Sequence, residues 1–572
     1  MIIFIEISLI IIIATLVSLV TKFFKQPLIV GYIVTGVIVG PYVLNILYSR
    51  EEIEFFSKIG IALLLFIVGL TLNPDVMREV GKPSFITGVG QVIFTSVIGY
   101  FLVRFLGFNT LSAIYIAIAL TFSSTIIVLK LLSDRGDLGK LYGKISIGLL
   151  LVQDIVAVIF LLMITVVGAT AALSTGDPSR FAFMEITTLL GKGALAAVFL
   201  YLVSKYVLPG LSRFVAGSQE VLFIFSLAWG LGMSALFYTI GFSVEIGALL
   251  AGITLAASPF AYEIAAKMKP LRDFFIMLFF VLLGSQILFG QFSNLLGAAI
   301  ILSVFVLIGN PLIVIILMNL IGYRTRTAFM VGLTVAQISE FSLILIALAF
   351  SLGHVNLETV SLVTLVGVIT IIGSTYFIQH ADNIYAFLKP VLKFITFRKL
   401  RKTENNVREN FEIIIFGYDR VGHDFVKTAN QIAGNYLVVD YDPSAIERAR
   451  LQHVPYRFGD AEDLEFLDEI NLSEAKLVVS TIPDFRTNIS LLAHYRSRNS
   501  EGIFVTISHN IPDTHALYHA GASYVIMPHY LGASHAASLI ANHRFDREAF
   551  EGEKTRHLQS LAEHEKLESI RK

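Results

Sequence analysis

The strongest constraint on this chain is a series of long apolar segments before about residue 388. A helix of about 20 apolar residues crosses the hydrocarbon core of a bilayer. About thirteen such segments can be counted. They begin near Ile2, Pro27, Phe55, Ser84, Leu111, Ile145, Phe183, Glu220, Ser243, Leu271, Leu295, Thr327 and Leu357. The pattern predicts a polytopic α-helical membrane protein.

Charged side chains divide the chain into a lipid-embedded part and a water-exposed part. They are sparse before about residue 388 and dense afterwards, which predicts a transmembrane domain over 1–388 and a basic linker over 389–410. The net charge is +0, so no basic excess points to a nucleic acid partner. The sequence has 0 cysteines, which excludes disulfides, thiol catalysis and cysteine metal sites.

The distribution of basic residues predicts the topology. One set of alternate loops carries most of the Lys and Arg, among them Lys22, Lys140 and Arg324, and by the positive-inside rule these loops are cytosolic. An odd number of spans and a cytosolic C-terminus place the N-terminus outside. The first segment has no basic n-region and no small-residue cleavage site, so we interpret it as a retained span.

Two pairs of segments resemble each other at a similar spacing. Leu64–Leu70 resembles Phe279–Ser285, and Leu120-Thr121 resembles Leu333-Thr334, at offsets of about 213 to 215 residues. Because seven predicted spans separate the members of each pair, they run in opposite directions. This favours the inverted-topology repeat of secondary transporters, although chance similarity between Leu/Phe-rich helices is an alternative.

Two polar runs interrupt spans at corresponding places, Thr121–Thr125 in the fifth span and Thr334–Glu340 in the twelfth. Short polar side chains bond backbone groups freed where a membrane helix is broken. Paired interruptions indicate an ion site near the midplane. Ser123, Ser124 and Thr125 are therefore candidate ion ligands. Close packing of helices is the alternative role for such residues.

Asp154, near the middle of the sixth span, is the candidate carrier of ion and proton. A charge at this depth is costly and usually functional. Its carboxylate oxygen is a hard ligand for Na⁺ or K⁺ and can also hold a proton, so the two occupants compete. Gln153 offers a neutral amide oxygen beside it. The alternatives are a protonated Asp154 that only packs, or one paired with a distant cation.

Two further polar residues are assigned supporting roles. Glu340 lies beside the twelfth-span interruption, where we expect it to cap backbone amides of the broken helix. Asn310 precedes Pro311 in the eleventh span, where we expect it to satisfy the backbone that the proline frees.

Several motifs together resemble the monovalent cation:proton antiporter-2 family, and the layout is similar to that of the glutathione-gated potassium efflux transporters. The motifs are Gly31–Gly36 followed by Gly40-Pro41, Ser123–Thr125, Gln153-Asp154, Gly247–Gly252 and Pro270–Phe275. The resemblance implies a thirteen-helix, sodium/proton-antiporter-like homodimer that works by elevator motion with Asp154 as carrier. Gln153 before Asp154 implies potassium as the leading substrate, with sodium as the alternative.

Two departures from the family pattern bear on mechanism. The loop over Tyr262–Lys269 lacks the His-led acidic segment of the gated efflux members, which argues against glutathione gating. Asn310 lies where many relatives place a Lys or Arg, which favours electroneutral exchange.

The residues after the linker predict an α/β Rossmann-type domain over 411–532. A buried strand ends at the Gly417–Gly422 turn, and the next strand ends in Asp440 about 20 residues later, as a ribose-binding unit requires. The segment resembles the RCK domain (regulator of conductance of potassium). We predict nucleotide contacts from Gly417, Asp419, Arg420, Gly422, Asp440, Asp460 and Thr481.

Asp419 occupies the position of the second glycine of the fingerprint. An acidic side chain there opposes a dinucleotide, so AMP or another adenine mononucleotide is expected rather than NAD. An empty domain used for dimerisation is the alternative. Residues 533–572 are predicted to be a solvated helix or a disordered tail.

These observations favour a secondary active transporter, not an enzyme, that exchanges K⁺ or Na⁺ for H⁺ in the lipid of a prokaryotic inner membrane. No second catalytic domain follows the Rossmann unit, so hydride transfer is not expected. An RCK-gated potassium channel is the runner-up, but the sequence lacks a TVGYG-like filter.

Overall fold

The computed structural model describes residues 2–71, 82–138, 140–173, 199–208, 218–240, 242–256, 258, 260–288, 292–395, 410–418, 422–432, 435–441, 443–462 and 464–569. The chain divides into two compact units, Met1–Arg401 and Lys402–Lys572. Each unit has its own buried apolar cores.

The regular secondary structure in the described residues of the first unit is helical. Its α-helices are α1 (Ile2–Phe23), α2 (Leu28–Val39), α3 (Arg50–Thr71), α4 (Lys82–Phe105), α5 (Thr110–Ala119), α6 (Thr125–Arg135), α7 (Leu141–Leu173), α8 (Gln219–Ile240), α9 (Val244–Ala256), α10 (Ala261–Ser285), α11 (Phe292–Val304), α12 (Asn310–Ile321), α13 (Thr325–Thr334), α14 (Glu340–Ser351), α15 (Leu357–Gln379) and α16 (Ala381–Ile395). Two π-helical turns, Val203–Val207 and Phe305–Gly309, complete the list.

Seven helices of the described residues are long and apolar enough to cross a membrane, and four shorter apolar helices accompany them. The predicted polytopic helical fold is confirmed. The predicted span from Phe183 lies largely outside the described residues, so the count of thirteen stays a prediction. Residues 389–395 of the predicted linker are helical, because α16 continues to Ile395.

The helices of this unit pack as two bundles. Helices α1–α3 and α8–α10 pack on one another, and α4–α7 pack with α11–α15. We call these the first and second bundles. Helix α15 of the second bundle contacts α2 and α10 of the first. The two halves of the sequence therefore contribute corresponding helices to each bundle.

Two glycine contacts in the first bundle reveal the internal repeat. Gly36 of α2 lies against Gly284 of α10, where an added Cβ on Gly36 would stand 2.9 Å from the Gly284 Cα. Gly252 of α9 lies against Gly69 of α3 at the same 2.9 Å. Each residue of one pair lies about 215 positions from a residue of the other. The two contacts are therefore equivalent positions of a duplicated structure.

The second unit is a parallel six-stranded sheet with the strand order β3-β2-β1-β4-β5-β6. Its strands are β1 (Ile413–Phe416), β2 (Tyr436–Asp440), β3 (Tyr456–Phe458), β4 (Leu477–Ser480), β5 (Ile503–Ile507) and β6 (Tyr524–Ile526). The order reverses between β1 and β4, which brings the ends of these strands together at a ligand-binding crevice. The predicted Rossmann-type domain is confirmed.

The strands of this sheet are joined by helices. They are α17 (Gly422–Ile432), α18 (Pro443–Leu451), α19 (Leu464–Glu469), α20 (Phe485–Arg496), α21 (Ile511–His519), α22 (Pro528–His543) and α23 (Arg547–Ser569), with a short 3₁₀ turn at Leu472–Glu474. The predicted domain end at 532 falls inside α22. Of the two alternatives for the tail, the described part is helical.

Candidate functional site

The fifth span is two short helices separated by an irregular segment. Helix α5 ends at Ala119, and α6 begins at Thr125, so that residues 120–124 form the first break. Ser124 is the N-cap of α6, and its hydroxyl accepts a hydrogen bond from the Ile127 amide at 3.4 Å. An N-cap serine satisfies a backbone amide that the new helix cannot bond itself. The predicted interruption at Thr121–Thr125 is confirmed.

The twelfth predicted span is broken in the same way. Helix α13 ends at Thr334 and α14 begins at Glu340, leaving residues 335–339 as the second break. Ser339 is the N-cap, accepting from the Phe341 amide at 3.2 Å, and lies about 215 residues from Ser124. The breaks touch, because the Ser123 hydroxyl donates to the Val335 carbonyl at 3.3 Å.

Corresponding amides in the two breaks are held by the long helix that follows each of them. The Ser123 amide donates to Oε1 of Gln153 on α7 at 3.0 Å. The Ile338 amide donates to Oγ1 of Thr370 on α15 at 3.3 Å. Both bonds are buried, so each break is fixed to its neighbouring helix by one side chain that replaces a lost helical partner.

Asp154 lies beside the first break and is partly exposed. Its Oδ2 accepts a hydrogen bond from Oγ1 of Thr125, the first residue of α6, at 2.8 Å. It also lies close enough to Glu340, the first residue of α14, for the two carboxylates to repel each other when both are ionised. Within the described ranges, no salt bridge joins Asp154 to a basic side chain. The N-terminus of α6 favours a carboxylate beside it, because its amides carry partial positive charge.

The capping role predicted for Glu340 is wrong. Ser339 and Ser342 supply the cap, with the Ser342 hydroxyl accepting from the Ser339 amide at 3.2 Å. Glu340 is 9% exposed and interacts instead with Arg272 and Asp273 of α10, both of which belong to the Pro270–Phe275 motif. Arg272 is buried and donates to Oδ1 of Asp273 at 2.6 Å. A basic residue inside an apolar span was the available signal.

The Gln153 carboxamide is hydrogen-bonded at both ends, and its predicted role as an ion ligand stays a prediction. Its Oε1 accepts from the Ser123 amide, and its Nε2 donates to Oε1 of Gln91 on α4 at 2.7 Å. Both ends of the carboxamide are therefore used to hold the first break. The structure places Gln153 next to Asp154 as a positioning residue.

Asn310 also serves the first break rather than the backbone beside Pro311, so that prediction is wrong. Its Nδ2 donates to the Leu120 carbonyl at 3.0 Å, and its Oδ1 accepts from Oγ1 of Thr95 at 2.8 Å. The π-helical turn Phe305–Gly309 lies directly before Asn310-Pro311. Such a turn accommodates the proline by shifting the local hydrogen-bond pattern.

The second candidate site is the turn after β1 in the Rossmann-type unit. Gly417 has a φ of 91°, which favours glycine, and an added Cβ on Gly422 would stand 1.9 Å from the Gly417 carbonyl oxygen. Thr481 closes one side by donating to the Phe416 carbonyl at 3.1 Å. The Asp440 carboxylate accepts from the Tyr418 amide at 2.6 Å. Gly417 and Gly422 are therefore in close contact, and the Tyr418 amide is held at the end of β2.

The remaining predicted nucleotide contacts have different outcomes. Asp460 accepts from the Glu462 amide at 3.0 Å and lies after β3. Asp419 and Arg420 lie outside the described residues. Tyr418, which the sequence did not single out, is buried and its hydroxyl donates to Gln452. Burial raises the pKa of Tyr418 to about 12, so it stays a neutral hydrogen-bond donor.

Comparison with known proteins decides the family. The profile described as "Sodium/hydrogen exchanger, transmembrane" matches residues 9–380. The chain belongs to the sodium/hydrogen exchanger family. Residues 413–528 of this exchanger match the TrkA-N domain. The resemblance to the cation:proton antiporter-2 family with a C-terminal RCK domain is confirmed.

Several individual proteins are similar to the exchanger. The glutathione-regulated potassium-efflux system protein KefC of Salmonella schwarzengrund is 28% identical over 475 residues, which cover 81% of this chain and 73% of that protein. KefC of Escherichia fergusonii is 29% identical over 468 residues, with the same coverage of 81% and 73%. The sodium proton antiporter MjNhaP1 from Methanocaldococcus jannaschii has a TM-score of 0.42 and 15% identity, covering 69% of this chain and 99% of that one.

Family membership settles the class of activity. The exchanger is a multi-pass membrane transporter of the monovalent cation:proton antiporter type, with a TrkA-N domain, and is not an enzyme. The runner-up reading as an RCK-gated channel is therefore not retained.

Proposed function

We propose that the exchanger trades one K⁺ for one H⁺ at Asp154. The observation that carries the proposal is the position of this carboxylate, hydrogen-bonded to Thr125 where the two helix breaks meet. A carboxylate there can hold either a proton or a dehydrated cation, and the neighbouring hydroxyl oxygens of Ser124 and Thr125 are hard ligands of the kind that alkali cations take.

The choice of K⁺ over Na⁺ rests on the curated relatives, which are named as potassium-efflux proteins. One-for-one exchange rests on charge. Asp154 is the only member of the Gln153-Asp154 pair that can carry charge, and Asn310 is neutral. One carboxylate that alternates between H⁺ and K⁺ moves equal charge in each direction.

Elevator motion is the mode of alternating access that fits this arrangement. The ion site lies wholly in the second bundle, and the first bundle packs through close glycine contacts that favour rigidity. The second bundle therefore carries the site across the membrane while the first stays fixed, in a homodimer of a prokaryotic inner membrane with its N-terminus outside.

The Rossmann-type unit is proposed to regulate this exchange by binding AMP or a related adenine mononucleotide. The amide-rich Gly417–Gly422 turn suits a phosphate and the Asp440 carboxylate suits ribose hydroxyls. Glutathione gating is not part of the proposal, because Tyr262–Lys269 lacks the His-led acidic segment expected for it. These residues were predicted to be a loop, but they form the start of helix α10.

Reconstitution of the full chain in proteoliposomes tests the proposal. Asp154→Asn should abolish K⁺-driven proton movement while the protein still elutes as a single folded species, because an amide cannot exchange a proton for a cation. The native rate should not respond to an imposed membrane potential, whereas a net charge of one would couple at about 2.3 kcal/mol per 100 mV. Exchange retained by Asp154→Asn would refute the carrier assignment, and voltage dependence would refute one-for-one exchange.

A further inference from the structure

A buried network of side-chain amides and one hydroxyl holds the first break. Gln91 and Thr95 of α4 belong to this network. Gln91 accepts from Gln153, and its Nε2 donates to the Thr121 carbonyl at 3.2 Å and to Oγ1 of Thr95 at 3.1 Å. Thr95 in turn donates to Oδ1 of Asn310 at 2.8 Å. Gln91 and Thr95 are both 0% exposed.

The network is directed at backbone groups that the interruption of the helix frees. The Leu120 carbonyl accepts from Asn310, the Thr121 carbonyl accepts from Gln91, and the Ser123 amide donates to Gln153. Three carboxamides from three helices thus bond backbone groups of three residues of the break. Because Gln91 bonds Gln153, the break and Thr95 together, it is the central member.

Comparison of the two repeats shows that a broken helix does not need this set of side-chain hydrogen bonds. Thr95 and Asn310 are separated by 215 residues, the repeat offset, so each lies at the position equivalent to its own partner. At the same offset, Gln91 corresponds to Val306, which is apolar and 0% exposed. The second break forms without an equivalent glutamine, and only the break beside Asp154 has one.

We propose that Gln91 and Thr95 are positioning residues for cation binding and selectivity. Gln91 bonds the Thr121 carbonyl directly, and Thr95 orients Asn310, which bonds the Leu120 carbonyl. Both carbonyl oxygens are thereby engaged by protein donors, so that Asp154 and Thr125 define the coordination of the cation. The proposal rests on Asp154 as the carrier. Loss of these hydrogen bonds lets the break change its conformation, which weakens cation binding. It also reduces the difference in affinity between K⁺ and Na⁺, while the Asp154 carboxylate that exchanges the ions is still present.

The test uses the full chain in proteoliposomes, with proton movement recorded while K⁺ or Na⁺ is titrated. Gln91→Met removes the amide at similar length, Thr95→Val removes the hydroxyl at the same shape, and Thr95→Ser restores it. Ser96→Ala is the matched control, because the Ser96 hydroxyl is buried on the same helix without a hydrogen-bond partner. Elution as a single species checks that each variant folds.

Gln91→Met and Thr95→Val should raise the KM for K⁺ about tenfold, the equivalent of about 1.4 kcal/mol, with the maximal rate within about twofold of the parent and a smaller K⁺/Na⁺ ratio. Thr95→Ser and Ser96→Ala should match the parent. A parental KM in Thr95→Val, or a Thr95→Ser as defective as Thr95→Val, overturns the proposal. Should Gln91→Met not fold, the Thr95 pair still decides. Activity retained by Asp154→Asn would instead refute the carrier.

Discussion

The glycine contacts of the first bundle predict which small substitutions the membrane unit cannot accept. A Cβ added to Gly252 would stand 2.1 Å from the Phe66 carbonyl oxygen, and one added to Gly36 would stand 2.0 Å from that of Val281. Both obstacles are backbone atoms of a facing helix, which no side-chain rotation can move. Gly252→Ala and Gly36→Ala must therefore push apart helices that are in direct contact.

The size of the effect follows from these distances. Relief of either contact requires the helices to separate by roughly 1 Å, and overpacking of this kind costs about 1 to 3 kcal/mol. The higher helix propensity of alanine compared with glycine offsets about 0.5 to 1 kcal/mol of this loss of stability. The net destabilisation should therefore be about 1 to 2 kcal/mol, similar for both variants because the contacts are equivalent.

Gly232→Ala is the matched control, because an added Cβ in the middle of α8 meets nothing within 4 Å. Thermal unfolding of the purified full chain, followed by the fraction that still elutes as a folded species, measures all three variants. Gly252→Ala and Gly36→Ala should lower the unfolding temperature, and Gly232→Ala should leave it equal or higher. Unchanged stability in Gly252→Ala would refute the close helix contact.

Two further predictions concern ionisable groups outside the spans. Burial opposes ionisation of Asp137, but hydrogen bonds from Tyr142 and Arg135 outweigh it and hold its pKa below the usual 3.8. Its stabilisation is present above that pH and lost as pH falls through the lower folded value, so Asp137→Asn should lower thermal stability at pH 7 and flatten its acid dependence. In calorimetry on 402–572, Asp440→Ala should weaken AMP binding and Asp419→Gly should improve NAD relative to AMP.

The sequence predicted the elements of the membrane unit well, because span length, helix interruption and a buried carboxylate are local signals. Asp154 and both breaks could be located from short stretches of sequence. The amide network could not be predicted, since Gln91 is one polar residue in an apolar span and its partners lie far away along the chain. Only the fold brings Thr95 to Asn310, across 215 residues.

The errors at Glu340 and Asn310 have a common physical origin. Both residues lie beside an interruption, and we assigned each to the nearest freed backbone group. At the second break the shorter side chain of Ser339 reaches the amide more directly. At Asn310 the π-helical turn shifts the backbone hydrogen bonds around Pro311, so the side-chain amide does not have to bond the local backbone. It is therefore available to bond the first break. Sequence proximity to a break therefore does not identify its partner.

The two halves of the repeat place their carboxylates at different positions. In the first half the hydroxyl of Thr125 begins the helix after the break, and the carboxylate of Asp154 lies on the long helix that follows. In the second half Glu340 begins the helix after the break, and Ile369, which lies 215 residues after Asp154 on the long helix, is apolar. The two carboxylates thus come from non-equivalent positions of the duplicated structure.

The difference in position gives the two carboxylates different neighbours, and this favours Asp154 over Glu340 as the ion carrier. Glu340 interacts with Arg272 of the first bundle, a cation that also pairs with Asp273, so a resident cation lies close to its carboxylate. Asp154 has a neutral partner in Thr125, and within the described residues no salt bridge offsets its charge. A carboxylate without a resident cation must acquire a proton or a transported cation to be neutralised. The different surroundings of the two carboxylates in the repeated fold thus favour Asp154 as the residue at which ion exchange takes place.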